Sequence, residues 1–170
     1  EAVVTAREAL RLDADDYLSH FMMGWAYFTD RKYKQAEQHF VQAREIYPED
    51  SDVLGFLALL ELRKSAWDKA LKYANHGLSL NAENINCVNA RARALLHSKR
   101  GQEANEALES ALGRAPENAS LHYHRGYTQL EKGDFSASIQ SFGEALRLEP
   151  SFEEAKEGLV EALKGRYKIY

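Results

Sequence analysis

In His122-Tyr123-His124 two metal-ligating side chains stand two residues apart, the nearest this chain comes to a constellation that could do chemistry. On a helix, residues two apart point about 200° from one another. The two imidazoles therefore cannot close on one ion without a third ligand and distorted geometry. This places His122 at a packing position and His124 beside a groove, with no metal site. The sequence has no HExxH, no phosphate loop, no GxSxG and no Cys and His set at zinc spacing. Cys87 is the only cysteine, which rules out an internal disulfide, fits a reducing compartment and reads as a buried, inert thiol. Neither an enzyme nor a cofactor is expected.

The elements that must position these residues follow from small side chains at a fixed interval. Gly24, Ala58, Ala92 and Gly126 stand 34 residues apart, and Ala36, Ala70, Ala104 and Ser138 repeat that interval. Small residues remove bulk where two helices approach closely, so each pair marks a tightly packed helical hairpin. The period holds through Tyr17–Asp50, Ser51–Asn84, Ile85–Asn118 and Ala119–Phe152 without insertion or deletion, which means a stacked solenoid. In the first unit His20, Met23, Gly24 and Tyr27 recur at helical spacing. Asp30-Arg31-Lys32 then breaks the pattern, and Ala36, Phe40 and Ala43 resume it until Pro48. This predicts helix, turn, helix, stop.

These units resemble the tetratricopeptide repeat (TPR) family, bacterial-type members included. The resemblance rests on the small residue eight positions into each unit and on Ala or Ser at position twenty. Phe40, Ala74, Leu108 and Phe142 carry it at twenty-four, Ala43, Gly77, Ala111 and Ala145 at twenty-seven, and Pro48, Pro116 and Pro150 at thirty-two. It implies an all-α fold, a right-handed α-solenoid (superhelix) of TPR helix-turn-helix hairpins, as one domain over residues 1–170. Residues 1–16 would be the second helix of a truncated repeat, followed by full repeats 17–50, 51–84, 85–118 and 119–152 and a capping helix, 153–167. Three departures are expected to weaken local packing: Ala82 for the closing proline, Gly101 for an aromatic, and His20, Leu54, Val88 and His122 at position four.

Both ends of the array carry expectations. Ser151 with Glu154 reads as a capping box opening the last helix, where Ala155, Leu159, Ala162 and Leu163 form an apolar stripe while Glu154, Glu157, Glu161 and Lys164 face away. Val160 replaces the small residue at the close-contact position, as suits a helix with no following partner. Ala2, Ala6 and Ala9 hold the register of a second helix, so the natural protein is expected to continue upstream.

Net charge is -4 and both signs are mixed along the chain, which argues against a nucleic-acid partner, since phosphate affinity needs a positive stripe. No apolar run approaches the roughly 20 residues of a membrane span. A cytoplasmic location without direct membrane insertion is the corresponding expectation.

The resemblance further implies that first helices line a concave groove with positions two, five, nine and twelve. The candidate peptide-binding residues are Phe21, Trp25, Phe28, Asn86, Asn89, Arg93, Tyr123 and Tyr127. Aromatic walls suit apolar side chains, and Asn86, Asn89 and Arg93 can pair with peptide backbone or a carboxylate. The implied function is a non-enzymatic interaction module for a protein or peptide ligand. The alternatives are a self-associating scaffold, as a homodimer, or the soluble part of a membrane-tethered assembly factor, suggested by the tail Lys164 to Tyr170. The chaperone-adaptor carboxylate clamp is not formed, because its positions hold Phe21, Trp25, Phe56, Asn86 and Ala90. Arg91 and Arg125 recur directly before the small residue and read as structural, with packed stems.

Overall fold

Each hairpin begins where a short polar side chain satisfies the free amides of a helix start. Asp16, Asp50, Asn84 and Asn118 stand at the 34-residue interval. Their side-chain oxygens accept from the backbone N–H of Ser19 at 2.8 Å, Val53 at 2.9 Å, Cys87 at 3.0 Å and Leu121 at 3.1 Å. Such a cap contributes about 1 kcal/mol. The computed structural model describes residues 6, 8 and 10–167, and all regular secondary structure among them is helical. From Tyr17 onward the helices are α1 (Tyr17–Thr29), α2 (Tyr33–Ile46), α3 (Ser51–Arg63), α4 (Trp67–Leu80), α5 (Ile85–His97), α6 (Gly101–Arg114), α7 (Ala119–Glu131), α8 (Phe135–Leu148) and α9 (Glu153–Tyr167). The predicted helix, turn, helix, stop is thus present in all four units. Of the N-terminal alanines, Ala6 is buried, and Ala2 and Ala9 lie outside the described residues.

The chain divides into two compact units, residues 1–90 and 91–170, with the boundary inside α5. Within each, hairpins reverse through one left-handed residue at a fixed place: Arg31 (φ 58°), Ser65 (φ 57°), Lys99 (φ 59°) and Gly133 (φ 76°). Only the last of these is glycine, the residue that takes this conformation without a Cβ penalty.

Packing inside the hairpins depends on matched volumes. In the first unit Phe40 is fully buried, and a Cβ on Gly24 would lie 2.8 Å from its ring. In the second unit Phe142 is fully buried between two helices, because a Cβ on Gly126 of α7 would lie 2.8 Å from it and one on Gly158 of α9 2.5 Å. Where Ala58 or Ala92 takes the place of the glycine, the residue in Phe40's register is Ala74 or Leu108. A ring fits only where the backbone carries no Cβ. Phe56 of α3 then stacks on Phe40 at 4.7 Å between centroids and 6° between planes, joining the first hairpin to the second.

Two expectations for the last helix are corrected. The cap position falls at residue 152, so Ser151 lies one residue too early for a capping box. The Phe152 carbonyl instead accepts the Lys156 N–H at 3.2 Å. The buried stripe of α9 is Ala155, Gly158 and Ala162, while Leu159 and Leu163 are half-buried, because Gly158 is the residue that admits Phe142. Val160 is 47% exposed.

Cys87 is fully buried with its sulfur 3.5 Å from the Ser51 carbonyl oxygen, and burial pushes its thiol up to about 11. Its room comes from Gly77, where a Cβ would lie 2.3 Å from the sulfur. Gly77→Ala is expected to cost about 1–3 kcal/mol by overpacking. In urea unfolding the double variant Gly77→Ala, Cys87→Ala should be more stable than the sum of the single effects; simple additivity would show that this contact is not the cause.

Candidate functional site

In the second unit, α7 places Tyr123 and Tyr127 one turn apart, edge to face at 5.1 Å. Phe142 supports both rings, at 6.1 Å and 5.1 Å, and Phe152 flanks Tyr123 at 4.9 Å. Phe152 therefore gives up the helix-capping role of its register to become part of this aromatic wall. A cavity of about 280 Å³ opens beside the tyrosines, lined by Arg93, Leu96 and His97 of α5 and by Tyr123, His124, Tyr127 and Glu131 of α7. The structure thus brings Arg93, Tyr123 and Tyr127 together.

Electrostatics in this cavity are set by burial and by charges on two helices. His124 is buried, and desolvation, aided by the Arg93 cation, lowers its pKa to about 3. Tyr123 is pushed up to about 12, chiefly by burial and then by Tyr127, with Glu154 adding to the rise and Arg93 opposing it. Burial also raises Tyr127, followed by Glu161 and Glu157. These carboxylates of α9 act on the tyrosines while remaining exposed, facing away from the apolar stripe of their helix as expected. They stand one 34-residue period beyond Ser120, Tyr123 and Tyr127, so extending the repeat register through α9 would have found them.

In the first unit the candidates sit differently. Phe21 and Phe28 are half-buried with their rings at 6.2 Å and 5.2 Å from Phe56, while Trp25 is 48% exposed and Leu18 62%. Asn86 packs on α3, where a Cβ on Gly55 would lie 2.8 Å from its own Cβ. The Asn89 side-chain oxygen is buried without a hydrogen-bond partner among the described residues.

The position-four histidines prove to be ties between elements. His122 Nε2–H donates to the Pro116 carbonyl at 2.7 Å, and its Nδ1 accepts from Arg125 Nη2 at 3.1 Å, so both ring nitrogens are engaged. At the same repeat position His20 Nε2–H donates to the Ala14 carbonyl at 3.0 Å, and its Nδ1 lies 3.0 Å from His39 Nδ1. Arg125 also donates from Nε to Ser141 Oγ at 3.0 Å, which joins α7 to α8. Lys168, Ile169 and Tyr170 of the tail lie outside the described residues. Among the described residues no helix is long and apolar enough to cross a membrane.

Two family models described as tetratricopeptide repeat match the chain, one over residues 17–50 and one over 89–151. The protein FlbA of Caulobacter vibrioides is 34% identical over 113 residues, which is 66% of this chain and 19% of FlbA. Anaphase-promoting complex subunit 6 of Arabidopsis thaliana is 29% identical over 168 residues, 96% of this chain and 31% of that subunit. The chain thus spans less than a third of the length of these curated relatives. Among solved structures, YrrB, described as a TPR protein with an unusual peptide-binding site, superposes with a TM-score of 0.68 at 20% identity. That match covers 91% of this chain and 80% of YrrB.

The depressed His124 pKa makes stability depend on pH. An unfolded chain takes up a proton near 6.5 and the folded one only near 3, so this contribution is complete above pH 6.5 and is lost as pH falls towards 3. The slope is about 1.4 kcal/mol per pH unit. His124→Phe, which borrows the residue of Phe56's register, should lose less stability than the parent between pH 7 and pH 4.5 in urea titrations. Parallel losses would mean that His124 titrates normally.

Proposed function

The chain belongs to the tetratricopeptide repeat family, and we propose that it is a non-catalytic module that holds a segment of a partner protein against the first helices of its hairpins. The fold implies a protein–protein interaction role; the groove as the working surface is our reading. The observation that carries it is the cavity beside Tyr123 and Tyr127, which these two supported aromatic rings line together with Arg93. Rigid aromatic anchors flanked by charge are the usual hot spots of protein recognition. An apolar side chain of the partner would enter between Leu96 and the tyrosines. Arg93 would orient its backbone or a carboxylate, and Glu154, Glu157 and Glu161 would favour cationic residues beside it. The peptide-binding site named for YrrB supports a peptide ligand by analogy of fold alone. In the first unit, the exposed Trp25 is a second anchor on the same series of helix positions.

Partner capture from lysate of the source cell, with identification by mass spectrometry, tests this reading. Arg93→Ala with Tyr127→Ala should weaken retention of a captured protein at least about tenfold while circular dichroism keeps the helical signal. Trp25→Ala should give a smaller loss. Equal capture by all variants would remove the groove from consideration. A second reading, self-association, rests on the exposed Val160 and Tyr167 of α9, at 47% and 70%. A sedimentation series in protein concentration should then show a dimer that Val160→Glu abolishes, and a monomer at all concentrations would dismiss it.

A further inference from the structure

A second cavity, of about 720 Å³, lies in the first unit between α2, α3 and α4, and its lining departs from the repeat in a directed way. Arg44 of α2 stands where the other three units carry Leu78, Leu112 and Leu146, and Tyr73 of α4 stands where they carry His39, Ala107 and Ser141. The two residues meet across the cavity. Arg44 Nη1 donates to the Tyr73 hydroxyl oxygen at 2.6 Å, and the guanidinium carbon lies 5.7 Å from the ring centroid. That leaves the Tyr73 hydroxyl hydrogen without an acceptor among the described residues, pointing to a site that wants an acceptor.

Charge in the wall agrees. Its two carboxylates, Glu37 and Glu61, are both bonded by Lys64, at 2.5 Å and 2.8 Å. Arg44, Lys69 and Lys72 have no carboxylate partner among the described residues, although all three line the cavity. The excess is cationic in a chain whose net charge is -4, so it does not follow from composition. From Glu37 to Arg44 the cavity runs along two turns of α2, about 10 Å. That length suits about three residues of extended chain.

We propose that this cavity binds an acidic segment of a partner protein. One carboxylate sits between Arg44, the Tyr73 hydroxyl and Lys72, and an adjacent apolar side chain rests on Pro48 and the Tyr73 ring. The surface belongs largely to second helices of the hairpins and uses none of the residues of the tyrosine-lined groove, so the two sites fail or stand separately.

The test uses the whole chain and a fluorescein-labelled peptide rich in Asp and Glu with one Phe, followed by fluorescence anisotropy. Arg44→Leu restores the residue of the other three units and is expected to fold, as circular dichroism would verify. Arg44→Leu and Lys72→Glu should each weaken the peptide at least about tenfold, Tyr127→Ala should leave it unchanged, and added salt should weaken it further. A Lys-rich peptide of equal length should not bind. The proposal is overturned if the acidic peptide fails to bind the parent chain, if it binds Arg44→Leu equally well, or if inorganic phosphate at matching concentration displaces it, which would make the occupant a small anion.

Discussion

The structure depends on a ring meeting a backbone that has no Cβ. Phe40 on Gly24, and Phe142 between Gly126 and Gly158, close the helices of a hairpin to a distance that any added methyl group would prevent. Close-packed interiors respond to changes of this size, which explains why the pairs change together along the chain. Glycine faces phenylalanine, and alanine stands with alanine or leucine in the same register. In the second unit the same contact also seats the tyrosine pair, because Tyr127 and Tyr123 rest on the Phe142 that these two glycines admit.

A repeat protein states its own expectation at every position, and departures from that expectation carry information that a single globular domain would hide. Phe152 occupies a capping register and cannot cap, yet it flanks Tyr123. Arg44 and Tyr73 replace leucine and smaller side chains of the other units, and they line a cavity across which they bond to one another. His20 and His122, expected to weaken packing, each tie the start of a first helix to the loop before it through a bond to a carbonyl six residues earlier. In each case the lost repeat interaction is replaced by another specific contact.

The two units distribute polarity differently. Phe21 and Phe28 of the first unit are drawn into a shared aromatic cluster that leaves Trp25 as the exposed ring, whereas the tyrosines of the second stand between a cation on α5 and carboxylates on α9. Burial of His124 beside Arg93 keeps this imidazole neutral through the physiological range, so the charges of the cavity wall come from Arg93 and Glu131 and not from His124.

Much of the fold was legible because a 34-residue period with small residues at two fixed offsets leaves few ways to bury the apolar faces. Hairpin order, the turn and stop of each unit and the tyrosine pair all follow from it, whereas the cap expected at Ser151 falls one residue later. The period also contained the carboxylates of α9, which are exposed as the pattern of that helix implies, but their action on the tyrosines is set by how α9 packs. What the sequence could not determine was occupancy of space: that Phe21 turns inward while Trp25 stays out, that Gly77 exists for Cys87, and that Arg44 reaches Tyr73. Those depend on which side chain fills a given volume when helices distant in sequence come together, a choice among packings that local pattern does not encode and tertiary contact alone decides.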